Sequence, residues 1–148
     1  MAGGRYVVNV EAVIARRGRY LMTVRGDGEP HAAGTLSVPG GKVEGGADGD
    51  DVLEATLRRE VAEEVGLTVG DELVYLESKA FVADDGTPVV DVVFLCRLLA
   101  DDPVRAAPDE VGAFRWMTAA EVAADPAAPP WTRRSIALAE RRRAELGW

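Results

Sequence analysis

Three glutamates and an arginine occur within six positions of one another in Arg59-Glu60-Val61-Ala62-Glu63-Glu64. If this stretch is helical, each residue advances about 100°. Glu64 then lies about 40° to one side of Glu60 and Glu63 about 60° to the other, so all three acids share one face. Leu53, Leu57, Val61 and Val65 recur every four residues on an adjoining stripe. The acids therefore abut the buried edge of the helix instead of opposing it. Crowded, partly desolvated carboxylates repel one another and favour protonation unless a cation relieves them. Arg59 is one such cation. A divalent ion is another, and hard oxygen ligands of this kind suit Mg2+ or Mn2+. A plain solvated acidic face is the alternative that the helix alone leaves open.

The elements that must position this face can be read from the rest of the chain. Tyr6 to Ala15 alternates with apolar Val8, Val10, Ala12 and Ile14, a strand pattern. Arg16 to Arg19 reads as a turn and Tyr20 to Val24 as the returning strand. Gly26 to Gly34 reads as a loop and Leu36 to Val38 as a short strand. The glycine-rich stretch Pro39-Gly40-Gly41, continuing from Lys42 to Asp50, reads as a loop leading into a helix over Asp51 to Val65, with Gly66 placed to end it. Leu73 to Val82 and Val89 to Leu98 read as two strands joined at Asp84-Asp85-Gly86-Thr87. Val111 to Met117 is a further short strand. Thr118 and Glu121 form a capping-box pattern for a short helix, Asp125 to Pro130 breaks it, and Trp131 to Glu145 is a final helix. The order predicts an α+β or mixed α/β fold in a single domain over residues 1–148.

Composition narrows the function. Seventeen Lys and Arg against 25 Asp and Glu give a net charge of −8 in 148 residues, which argues against a nucleic-acid or anionic-membrane partner. An anionic substrate would need a cation between itself and the carboxylates. The lone Cys96 rules out an intrachain disulfide, and with the lone His31 it also rules out a Cys/His zinc site. Cys96 falls in a strand pattern and reads as a small buried apolar residue. The first residues lack the apolar core of a signal peptide. A soluble, cytoplasmic protein is expected, and a homodimer is compatible with the sequence.

In its glycine loop and acid helix the chain resembles the Nudix hydrolases. Their box reads G-x5-E-x7-R-E-U-x-E-E-x-G-U, where U is a bulky apolar residue. Its second half is complete in Arg59, Glu60, Val61, Glu63, Glu64, Gly66 and Leu67, and it follows Pro39-Gly40-Gly41-Lys42-Val43-Glu44. The first half departs from the pattern. Asp51 stands where the family has Glu, and Gly41, the glycine after the Pro-Gly pair, lies ten residues before it, so this loop is four residues longer than the family's.

The resemblance implies an α/β/α sandwich around a mixed sheet, and hydrolysis of a diphosphate bond in a nucleoside diphosphate linked to some group X. By the same resemblance Glu60, Glu63 and Glu64 are metal ligands, with the Gly40 carbonyl a further one. Glu60 is the candidate base, and Arg59 holds the acids in place. Glu110, six residues before Trp116, is a candidate for a further ligand or an alternative base. Gly41, Lys42 and Glu44 are candidate substrate contacts, and Phe81, Trp116 and Trp131 are candidates to stack on a nucleobase. The substrate implied first is a nucleoside triphosphate, plain or oxidised, with ADP-ribose or another nucleotide derivative second. A nucleotide-sensing module of the same fold without hydrolysis is the alternative of another class. A protein–protein scaffold would show no metal affinity at all.

Overall fold

The computed structural model describes residues 4–25, 34–100, 102–105 and 111–148. Among them the chain forms β1 (Val7–Arg16), β2 (Arg19–Arg25), β3 (Leu36–Ser37), β4 (Gly40–Lys42), α1 (Val52–Val65), β5 (Val74–Val82), β6 (Pro88–Arg97), β7 (Val111–Met117), α2 (Ala119–Ala124) and α3 (Pro130–Leu146). The strands join in one mixed sheet of order β3-β2-β1-β6-β5, with β4 also on β1 and β7 also on β2. β1 runs parallel to β6 from Val7↔Val89 to Ala15↔Arg97, and the remaining pairs are antiparallel.

Because successive strand residues point to opposite faces, the apolar runs of β1 and β6 feed two cores. Val13, Ala15, Tyr20, Met22, Val93 and Leu95 meet Val122 of α2 and Ile136 and Ala139 of α3 on one face. Ala12, Ile14, Leu21, Phe94 and Cys96 meet Leu57, Val61 and Val65 of α1 on the other. The result is the expected helix–sheet–helix sandwich. Tyr20 lies fully buried under α3, where its hydroxyl meets Glu140 and accepts from Arg143 Nε at 3.1 Å.

Most elements lie where the sequence places them. The β5–β6 hairpin turns at Gly86, whose φ of 87° favours glycine. The Thr118–Glu121 capping box forms with both of its hydrogen bonds. Two expectations need correcting. Gly40–Lys42, read as loop, is a strand, and α3 starts one residue early because Pro130 takes the first helical turn, where its missing N–H costs nothing. Helix α1 begins at Val52. Asp51 sits before it in the left-handed region (φ 54°) without a side-chain cap, although its carbonyl accepts the Ala55 N–H at 2.9 Å.

Helix α1 is held by its apolar stripe and by Arg58, whose guanidinium donates to the carbonyls of Val69, Gly70 and Asp71 at 3.1–3.3 Å. Leu57 is 1% exposed at the centre of that stripe. Leu57→Ala is therefore expected to destabilise the fold by about 2–5 kcal/mol, through lost burial and the cavity it leaves. Urea denaturation measures this, and a loss under about 1 kcal/mol would mean that α1 is not anchored as described.

Candidate active site

The site is created by a split in the sheet. β1 and β2 pair only near their shared turn, at Ala15↔Tyr20 and Arg16↔Arg19, and then diverge. The chain from Leu36 to Lys42 crosses the gap. It pairs first with β2 (Thr23↔Ser37, Val24↔Leu36) and then with β1 (Asn9↔Lys42, Val10↔Gly41, Glu11↔Gly40). Beside that crossing lies a cleft of about 440 Å³, lined by Asn9 and Glu11 of β1, Thr23 and Arg25 of β2, Ser37 to Lys42 except Pro39, Glu44, and Glu60 and Glu64 of α1.

Glycine is what lets β1 and the Glu60 side chain approach the crossing so closely. A Cβ on Gly40 would stand 2.4 Å from the Val10 carbonyl oxygen, and one on Gly41 would stand 2.2 Å from the carboxyl carbon of Glu60. With hydrogen there instead, the Gly40 N–H donates to Glu64 Oε2 at 3.1 Å. Arg59 Nη2 donates to Glu60 Oε1 at 3.0 Å and to the Lys42 carbonyl at 3.2 Å, and lies 4.0 Å from Glu44 Oε1. The bond to Glu60, together with the charges of Glu44, Glu60 and Glu63, raises the Arg59 guanidinium above its ordinary pKa. Arg59 thus braces β4 against α1 and balances the acids.

Glu60, Glu64, Glu44, Gly40, Gly41 and Lys42 are thus brought to one cleft, with Arg59 behind them. Glu63 is exposed and is not part of that lining. Glu110 and His31 lie outside the described residues. Among the described residues no three Asp, Glu, His or Cys side chains are grouped so as to hold a metal ion by themselves. That is no obstacle to Mg2+, which keeps several waters and is bound through one or two carboxylates together with substrate phosphates. Glu60 and Glu64, a turn apart on a cleft wall, offer that donor set.

A second cavity of about 390 Å³ adjoins the first and shares Asn9, Glu11, Arg25 and Ser37 with it. Its lip is apolar, formed by Ala80, Phe81, Val82 and Trp131, and its polar lining includes Lys79 and Asp91. Of the candidate stacking rings, Phe81 and Trp131 line this cavity. Trp116 instead packs against the α1 core under Arg16, whose guanidinium lies 4.1 Å from the ring centroid.

The sequence reading missed the polar network below the cleft. Asn9 Nδ2 donates to Asp91 Oδ1 at 2.7 Å, and Asp91 is 1% exposed. Burial first, then the hydrogen bond and charge of Asp91, push the Glu11 carboxyl well above the usual carboxylate range, and Lys79 opposes the shift. Lys79 Nζ donates to Ser135 Oγ at 3.3 Å, and Ser135 Oγ donates to buried Glu77 at 2.8 Å. Arg134 completes the link from β5 to α3 by bonding Glu77 at 3.2 Å. The available signal was the polar pair Asn9 and Glu11, two apart in an otherwise apolar strand. Cys96 is fully buried as expected, and burial pushes its thiol up to about 12, which leaves it unreactive.

A sandwich whose split sheet opens onto a glutamate-bearing helix across a Gly-Gly strand frames the cleft. The family model for the NUDIX domain matches residues 5–139, and the chain belongs to the Nudix hydrolase family. The MutT NUDIX hydrolase of Burkholderia pseudomallei superposes with a TM-score of 0.74 at 25% identity, over 90% of this chain and 98% of that one. The MutT protein of Methanosarcina mazei Go1 gives 0.76 at 24% identity, over 97% and 99%. The NUDIX domain of Shewanella oneidensis NrtR, solved with ADP ribose, gives 0.71 at 21% identity, over 97% and 90%. Among curated proteins no sequence match is found. No helix among the described residues is long and apolar enough to cross a membrane.

Proposed function

We propose that the chain, acting as one domain, hydrolyses a diphosphate bond of a nucleotide with Mg2+ or Mn2+. A nucleoside triphosphate, plain or oxidised, is the leading substrate, giving nucleoside monophosphate and pyrophosphate. The observation that carries this reading is the pair Glu60 and Glu64 on the wall of a cleft that runs on into an aromatic-lipped cavity. One end suits charged phosphates and the other a flat, weakly polar base.

In this reading Glu60 and Glu64, with the Gly40 carbonyl, hold the metal, and Glu63 is a further ligand from the same helix. The bound ion offsets phosphate charge and makes a water easier to deprotonate. Glu60, held by Arg59, takes the water's proton, and Glu110 is the alternative acceptor. Lys42 and Glu44, on the strand and loop facing α1, meet the phosphates and their counter-charge. The backbone around Gly41 lets the chain lie close to them.

A phosphate-release screen with Mg2+ and Mn2+, coupled to pyrophosphatase or phosphatase, tests the proposal. Nucleoside triphosphates, ADP-ribose, nucleotide sugars and dinucleoside polyphosphates are compared for wild type and Glu64→Gln. Turnover of triphosphates that is abolished by EDTA and by the substitution is the expected result. Selective turnover of ADP-ribose would move the chain to the second substrate class. Tight nucleotide binding without any turnover would overturn hydrolysis in favour of a sensor.

A further inference from the structure

A further cavity, of about 370 Å³, lies at the other end of β1 from the α1 cleft, in the corner where the β1–β2 turn, the end of β6 and the end of α3 meet. Arg16 and Arg17 reach it from the turn, Arg97 from β6 and Arg143 from α3, beside Leu98 and Trp148. Arg16 is five residues along β1 from Glu11, about 16 Å at the rise of an extended strand. Among the described residues no Asp or Glu lines this cavity, although the chain carries a net charge of −8.

The guanidinium groups are held in place there. Arg97 lies 4.7 Å from the centroid of the Trp148 ring. Arg16 lies 4.1 Å from that of Trp116 and donates to the Asp102 main-chain carbonyl at 3.3 Å. Stacking on an aromatic face orients a guanidinium without cancelling its charge. Arg143 donates to Glu140 at 2.9 Å and to the Trp148 carbonyl oxygen at 2.5 Å, so its charge is already offset and it builds the wall. Arg97, Arg16 and Arg17 bring three more guanidinium groups to the same space. The backbone of Arg17 is unusual as well. Arg17 and Gly18 turn β1 into β2 with φ of 51° and 74°, the pattern of a two-residue hairpin turn in which Asn, Asp or Gly ordinarily stands first. An arginine there carries a backbone cost and sets its side chain on the cavity.

We propose that this corner is an anion site, separate from the α1 cleft, that takes a diphosphate group. A guanidinium fork matches phosphate oxygens two at a time. Several forks facing one cavity of this size suit a group with two adjoining phosphates better than a single small anion. The site stands whether or not the α1 cleft hydrolyses a nucleotide.

The test is equilibrium binding in EDTA, where the acids of the α1 cleft have no metal to hold an anion for them. Pyrophosphate, ADP and sulfate are titrated by calorimetry and by tryptophan fluorescence, because an anion that draws Arg97 from the Trp148 ring changes the emission. Wild type, Arg17→Asn, Arg97→Gln and Glu64→Gln are compared, with thermal melting beside each. Pyrophosphate or ADP is expected to bind at least about tenfold more tightly than sulfate, and each arginine substitution to weaken that binding about tenfold. Tighter binding of ADP than of pyrophosphate supports the site with a nucleotide as the source of the diphosphate. Arg17→Asn is the sharper variant, because asparagine tolerates a positive φ. It is expected to lose affinity while its melting temperature holds or rises, so the result does not depend on Arg97→Gln folding. Absence of saturable binding overturns the proposal, as does sulfate binding equal to that of both diphosphates. An affinity that follows Glu64→Gln and ignores both arginine substitutions places the anion in the α1 cleft and also overturns it.

Discussion

Glu60→Gln is expected to lower turnover by about 10²–10⁴-fold, the usual contribution of a positioned general base, while shifting stability by less than about 1 kcal/mol. The amide is nearly isosteric and keeps an oxygen for Arg59 Nη2, which now donates to Glu60 Oε1 at 3.0 Å. What it loses is the negative charge and the ability to take a proton. The side chain is only 15% exposed, so the remaining solvent does little to replace that charge. Two measurements separate the roles. If Glu60 acts mainly as a ligand, excess Mg2+ recovers much of the rate. If it is the base, the rate stays low at any metal concentration and the acidic limb of the pH–rate profile changes. A variant within about threefold of wild type would remove Glu60 from both roles and shift the base to another acid, Glu110 first.

The helix with its three acids was legible because helical periodicity fixes both the apolar stripe and the face beside it. Leu57, Val61 and Val65 are buried in the structure as that stripe requires. Strand alternation likewise placed β1, β2, β5 and β6 within a residue or two. The strand β4 was not legible, because Gly-Gly carries no side-chain alternation and glycine is a poor strand former. Its pairing with β1 depends on backbone approach that only the assembled structure reveals. The polar row of Asn9 and Glu11 was hidden for a different reason. In a strand, polar residues at alternate positions normally face solvent. Here both faces of β1 are covered further along, and the row opens into a cleft that exists because β2 diverges from β1. Asp91 reads alone as a charge interrupting an apolar run, and only the parallel register Asn9↔Asp91 gives it a partner. Local pattern located the acids of α1. The polar groups beneath the second cavity came together through contacts such as that of Asn9 with Asp91, 82 residues apart in sequence.

Gly41→Ala should damage the reaction far more than the fold. The added methyl would stand 2.2 Å from the Glu60 carboxyl carbon and 2.4 and 2.6 Å from its two oxygens. Glu60 is a flexible side chain at the rim of the cleft and can swing away, so the backbone pairing of β4 survives and the melting temperature falls little. The displaced carboxylate must move by about 1 Å or more to reach an ordinary van der Waals distance, and misplacement on that scale costs about 10²-fold in rate. The methyl also takes up space in the cleft between β4 and α1. Gly40→Ala is the contrasting control. Its methyl would stand 2.4 Å from the Val10 carbonyl oxygen and 3.1 Å from the Glu11 Cα. Backbone cannot rotate aside, so the β1–β4 pairing itself must open, at a cost of about 1–3 kcal/mol of stability. Melting curves and metal-dependent turnover for both variants resolve the two effects. Gly41→Ala with full activity would mean that the Glu60 carboxylate need not occupy its present position, and the acid pair with Glu64 would lose its support as the metal-holding wall. Activity lost at Gly41 with the fold intact, against stability lost at Gly40, would place the catalytic requirement on the gap that this glycine leaves for Glu60.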